Sequence, residues 1–237
     1  MTSRSELKAQ AKEALKGKWV FAIAIILITF GISLALNMIP LIGGLASLII
    51  SPAISFIPLQ LFLKVKRNED ARIEEFFSNF TYLGKYWGLF ARLLLKLLPV
   101  IILIIILALL PFITIAIGNS IFSIIATILI ILLYIYTIFL CYKITLEYSQ
   151  AIYVFTDEPE MGTKYALEKS KELMEGHKIE LLILQLSFIG WGLLTGLTLG
   201  ILLLYVQPYM STTLAAYYDA LKGNTTEKNN DEAITTF

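Results

Sequence analysis

Long uncharged runs alternate along this chain with short charged ones. No Asp, Glu, Lys or Arg falls between Trp19 and Leu63, between Leu97 and Tyr142, or between Leu181 and Tyr218, runs of 45, 46 and 38 residues. A helix needs about 20 apolar residues to cross a hydrocarbon core of about 30 Å. Each run therefore predicts two crossings joined by a turn. Turn residues sit midway: Asn37, Pro40, Gly43 and Gly44 in the first run, Pro111 and Gly118-Asn119-Ser120 in the second, and the weaker "TLGI" at Thr198–Ile201 in the third. The pattern predicts an all-α, polytopic integral membrane protein with a single membrane domain over residues 1–221. Its six transmembrane helices fall near 19–38, 41–63, 96–116, 120–142, 179–198 and 201–220.

The charged intervals carry amphipathic patterns of their own. Leu7, Ala11, Ala14 and Leu15 share one stripe of a helix flanked by Lys8, Lys12 and Lys16, which predicts a helix lying on the headgroups. Seven aromatics lie between Phe76 and Phe90, suiting either the membrane interface or packing beneath the helices. The stretch "EPEMGTKYALEKSKELMEGHK" predicts a third surface helix with a solvated, charged face. Residues 222–237 are polar and low in large apolar side chains, which predicts a disordered cytoplasmic tail.

Composition and charge sharpen this picture. Hydrophobic residues make up 57% of the chain and charged ones 16%, against about 25% charged in a soluble domain. Five Lys and Arg precede the first helix, seven lie in 64–96, five in 143–178 and two after the sixth helix, which accounts for all 19. The three opposite loops hold none. By the positive-inside rule both termini are cytoplasmic, and the first helix serves as an uncleaved insertion signal. Residues 64–96 hold seven bases and four acids, net +3, whereas 143–180 hold five bases and eight acids, net −3. The two segments are expected to lie against each other.

Candidate chemistry is sparse. One cysteine, Cys141, and one histidine, His177, leave no disulfide and no metal cluster of those types. Glu74-Glu75 lacks intramembrane histidines that would complete a metal site. No nucleophile elbow or phosphate-binding glycine loop occurs. Charged side chains touch the predicted crossings only at their ends, at Lys96, Glu180 and Asp219, and none lies in their interiors, where proton or ion coupling would require one. Lys143 and Glu147, four residues apart, are expected to pair. The expectation is a protein that is not an enzyme, with no cofactor, no metal and no nucleic-acid partner.

The last hairpin holds the remaining candidates. Gly192, Gly196 and Gly200, at i, i+4 and i+8, share a helical face that would let a neighbouring backbone approach closely in lipid. Pro208 removes one helical hydrogen bond and predicts a kink. Gln185, Thr195, Gln207 and Tyr209 are the polar candidates. They serve either as links to other helices or as the lining of a ligand route.

Three stretches carry a resemblance: "ELKAQAKEALKGKW", "YSQAIYVFTDEPEM" and the segment "ALEKSKELMEGHK" running into "IELLILQLSFIGWGLLTGLTLGILLLYVQPYMSTTLAAYYDAL". In these the chain resembles the bacterial membrane-protein family catalogued as domain of unknown function nine-seven-five. That family is itself distantly similar to membrane domains attached to glycerophosphodiester phosphodiesterases. The resemblance implies the architecture and a bacterial cytoplasmic membrane, and it brings no catalytic residue. The expected function is association with membrane lipids or with a protein partner. The alternative is a permease-like carrier of a neutral or lipidic substrate.

Overall fold

A computed structural model describes residues 2–40, 42–117 and 120–235, with side chains described except at 42, 113–117, 120–122 and 225–235. Among these residues the chain is helical and contains no strand. Five helical spans among them are long and apolar enough to cross a membrane, the last, Lys178–Leu197, being broken near its middle.

The chain opens on α1 (Arg4–Leu15), whose first turn is capped by Ser3 Oγ accepting from the Glu6 amide at 3.2 Å. Gly17, at a φ of +79°, then turns the chain into α2 (Trp19–Asn37). Polar groups within α2 bond to their own helix: Thr29 to the Ile25 carbonyl, Ser33 to Thr29 and Asn37 to Ser33. The tight turn that follows requires glycine, since a Cβ on Gly43 would run into the Leu36 carbonyl oxygen. In α3 (Ile42–Lys66), Pro52 cannot donate to the Leu48 carbonyl, and the Ser51 hydroxyl takes that acceptor instead at 2.9 Å.

A short α4 (Ile73–Ser78) and a 3₁₀ turn lead into α5 (Leu83–Ile117), followed by α6 (Ser120–Glu147). The expected third and fourth crossings lie inside these longer helices. Next comes α7 (Ala151–Asp157), a seven-residue helix with Ala151 to Phe155 all buried. Five consecutive buried residues leave no solvent face, and α7 sits between α3 and α8 (Gly162–Leu173) as part of the core. The fifth expected crossing is two helices, α9 (Lys178–Leu186) and α10 (Ile189–Leu197), divided at Ser187-Phe188. Finally α11 spans Leu203–Thr235. It is not among the five apolar helices, because Gln207, Ser211, Thr212, Thr213 and Asp219 interrupt its apolar run. The segment expected to be a disordered tail is helical through Thr235.

Burial runs opposite to hydrophobicity. In the most apolar windows of α2, α5 and α6 only 11% of residues are buried, while the core gathers near the charged segments around Phe62, Phe76, Tyr86, Phe155 and Tyr218. Apolar helices that turn their side chains outward are built for a hydrocarbon surround. The first helix departs from expectation here. Its stripe of Leu7, Ala11, Ala14 and Leu15 is buried against α11 and α3, so it is spent on protein and not on headgroups. The aromatic stretch divides: Phe76 and Tyr86 are fully buried, and Phe77 and Tyr82 are exposed.

Leu15, with no exposed surface, joins α1 to this core. Leu15→Ala is expected to cost about 2–5 kcal/mol through the cavity it leaves. Thermal unfolding in detergent measures this, and an unchanged melting temperature would mean that α1 is not docked.

Candidate functional site

The densest polar constellation joins α3, α7 and α11 at the charged end. Arg67, one residue past α3, donates from Nη1 and Nη2 to the two carboxylate oxygens of Asp157 at 2.6 and 3.1 Å. It reaches Asp219 from Nη2 at 2.7 Å and from Nε at 3.1 Å. Asp157 Oδ2 also accepts from Tyr218 Oη at 2.9 Å and from Lys222 Nζ at 2.6 Å. A planar guanidinium can meet both oxygens of one carboxylate and still donate to a second, a forked geometry that the single nitrogen of an ammonium does not offer. The hydrogen bond to Asp157, together with Asp219, outweighs burial and holds the Arg67 guanidinium above its usual range, so it stays charged. Tyr218 stacks on Tyr153 at 5.3 Å, and the buried Tyr153 hydroxyl has no hydrogen-bond partner among the described residues. Nearby, Tyr86 Oη donates to the buried Gln60 Oε1 at 2.7 Å.

A second constellation is aromatic. Trp19 stacks on Tyr205 at 4.8 Å, Tyr205 meets Trp191 and Tyr209, and Tyr209 meets Phe188 at 5.3 Å. Lys8 and Lys12 of α1 lie over Phe188 and Tyr209, at 4.4 and 5.5 Å. Lys8 Nζ also donates to the Ser187 carbonyl at 3.2 Å, placing a cation at the C-terminal end of α9 where the helix breaks. Desolvation, then the positive neighbours Arg4 and Lys12, push the Lys8 ammonium below its usual value.

The residues expected from the last hairpin do not converge. Gln185 Oε1 accepts from Tyr142 Oη at 2.5 Å, linking α9 to α6. Thr195 bonds back to Trp191 of its own helix. Tyr209 is buried in the aromatic ladder, and Pro208 is buried inside α11. Gln207 alone faces open space, a groove of about 380 Å³ between α2, α3 and α11 that also carries Thr29, Ser33 and Ser55. Added Cβ atoms on Gly192 and Gly196 would meet nothing within 4 Å among the described residues outside their own helix. Gly200 works as a turn residue at a φ of +87°.

The remaining candidates are also local. Glu147 turns to Lys178 and Lys171, at 2.8 and 3.6 Å, in place of the expected Lys143. His177 lies 3.2 Å from Glu180, and Glu75 accepts from Lys64 at 2.8 Å. Among the described residues no three His, Cys, Asp or Glu side chains could hold a metal ion. Sequence reasoning missed Arg67, Asp157 and Asp219. Only Asp219 carried a signal, as the charge that closes the uncharged run ending at Tyr218; Arg67 follows Lys64 and Lys66, and Asp157 ends only a short uncharged stretch after Glu147.

Arg67→Met leaves two carboxylates facing each other without their shared cation, and the expected cost is about 3 kcal/mol. Tyr153→Phe removes an unpaired buried hydroxyl, and the expected gain is about 1 kcal/mol. Paired melting curves in detergent check both; equal melting of Arg67→Met and wild type would rule out the network as a clasp.

The family model described as "Protein of unknown function (DUF975)" matches residues 1–225. No curated protein and no solved structure matches the chain. By that match over nearly its whole length, the chain belongs to the family described as protein of unknown function (DUF975).

Proposed function

We propose that the chain crosses a bacterial cytoplasmic membrane six times with both termini in the cytoplasm, α11 providing the sixth crossing up to about residue 220. The support is the all-or-none division of Lys and Arg among the loops. In a Cys141→Ser background, a cysteine at Met38 is expected to react with an impermeant maleimide in intact cells. Cysteines at Lys85, Lys169 and Lys222 are expected to react only after permeabilisation. Labelling of Lys169 from outside would overturn the arrangement.

Within that frame the protein is a non-enzymatic association module whose partners are membrane lipids, with a protein partner as the other occupant of the same surfaces. One observation carries this reading: of the polar side chains in the last hairpin, Gln185, Thr195 and Tyr209 are engaged within the chain. Around them α6 and α10 present Ile128, Ile135, Leu193 and Leu197 outward. Within the hairpin those polar groups are consumed by structure, and apart from Gln207 the surface it leaves for interaction is apolar. The carrier reading keeps one supporting feature, the Gln207 groove. The test is quantitative lipid analysis of protein purified in mild detergent and washed extensively. Phospholipid retained in stoichiometric amount is expected, unchanged in Gln207→Leu. Loss of all retained lipid, with no stoichiometric protein partner, would overturn the association reading. Loss in Gln207→Leu alone would favour the carrier.

A further inference from the structure

Between α5 and α8 the surface opens into a cleft of about 510 Å³. Its lining includes four bases, Arg92, Lys96, Lys164 and Lys171, and a single acid, Glu168. Glu168 lies 3.8 Å from Lys164 with both side chains largely exposed, a separation and exposure at which pairing is weak. Lys171 is 3.6 Å from Glu147, whose other oxygen is taken at 2.8 Å by Lys178. Arg92 spends its Nε on the Thr163 hydroxyl at 3.0 Å, which fixes the guanidinium at the mouth between the two helices. Lys96 has no ion pair among the described residues. The lining is net +3 and asks for an anion.

The position of the cleft selects the kind of anion. Lys96 is the last charge before the uncharged run that begins at Leu97, so the bases stand where the apolar length of α5 begins. From the cleft wall an exposed stripe continues along α5 through Leu95, Leu98, Ile102, Ile105 and Leu109. The spacing of 3, 4, 3 and 4 keeps these residues on one helical face. The stripe runs about 20 Å at 1.5 Å per residue, somewhat more than the roughly 15 Å half-thickness of a hydrocarbon core. Tyr148 adds an amphipathic ring at the same level.

We propose that this cleft binds the headgroup phosphate of an anionic phospholipid, with an acyl chain laid along the α5 stripe. The proposal rests on the association reading and names its lipid. Arg92 supplies a fixed planar donor, and Lys96, Lys164 and Lys171 supply mobile point charges around the phosphate. A zwitterionic lipid would bring a cation into a cleft already in surplus, so discrimination follows from charge alone.

The experiment titrates phosphatidylglycerol into full-length protein held in phosphatidylcholine nanodiscs, with binding read by native mass spectrometry. Wild type is expected to bind phosphatidylglycerol at least tenfold more tightly than added phosphatidylcholine. Each base near such a surface contributes about a fivefold factor, so Lys96→Gln/Lys164→Gln is expected to weaken binding about 25-fold. The charge-preserving Lys96→Arg/Lys164→Arg keeps the affinity, as does Lys16→Gln/Lys18→Gln, a pair that does not line the cleft, and melting curves establish that every variant folds. Affinity unchanged in Lys96→Gln/Lys164→Gln overturns the cleft while leaving lipid association standing. No preference in wild type for phosphatidylglycerol over phosphatidylcholine overturns the anionic assignment. Inorganic phosphate that displaces phosphatidylglycerol at equal concentration identifies the site as one for a free anion and overturns the lipid.

Discussion

Arg67 holds one end of this molecule together, and the rest of the structure hangs from that end. In a hydrocarbon surround apolar helices gain little by touching each other, because lipid tails are as apolar as leucine. Something outside the slab must set their arrangement. Here it is a guanidinium shared by Asp157 and Asp219, seated beside the Tyr153–Tyr218 stack and the buried α7. Because Arg67 directly follows α3 while Asp157 closes α7 and Asp219 lies in α11, the network fixes the relative position of three helices at once. The hydrophobic effect operates in full only at this end, where Phe62, Phe76, Tyr86 and Phe155 leave water together.

Beyond that end many of the polar groups are satisfied within their own helix. The Thr29, Ser33 and Asn37 bonds close within α2, Thr127 and Thr137 close within α6, and Ser51 covers the acceptor that Pro52 leaves open. A buried or lipid-facing polar group without a partner is costly. Local closure removes that cost without requiring a neighbouring helix. It also explains why polar residues in apolar helices are poor guides to function in this chain: Thr195 is answered by its own helix and Gln185 by the Tyr142 hydroxyl.

Charge segregation made the helices legible, since three uncharged runs bounded them and Gly43 marked a turn that no larger residue fits. What was not legible depended on tertiary contact. "AIYVF" reads equally as the end of a crossing or as a loop, and only burial on every side identifies α7 as core. The stripe on α1 is the same stripe whether it meets headgroups or α11, because amphipathicity specifies a face and not what covers it. The glycine row on α10 meets no other described part of the chain for a related reason: small residues permit close approach without causing it.

Net charge by segment was informative in one respect and misleading in another. Residues 64–96 and 143–180, of opposite sign, do meet, through Arg67 with Asp157 and Arg92 with Thr163. Yet the acids of the second segment do not spread evenly over the bases of the first. Asp157 turns inward to the clasp, Glu147 turns to Lys178 and Lys171, Glu172 to Lys169 and Glu180 to His177. That leaves Glu168 as the acid in the lining where α5 and α8 face each other, against four bases. A pairing that neutralises the segments as wholes thus strands positive charge at one place, beside the apolar run of α5. The clasp that organises the fold and the surplus that would recognise an anionic headgroup come from the same distribution of carboxylates.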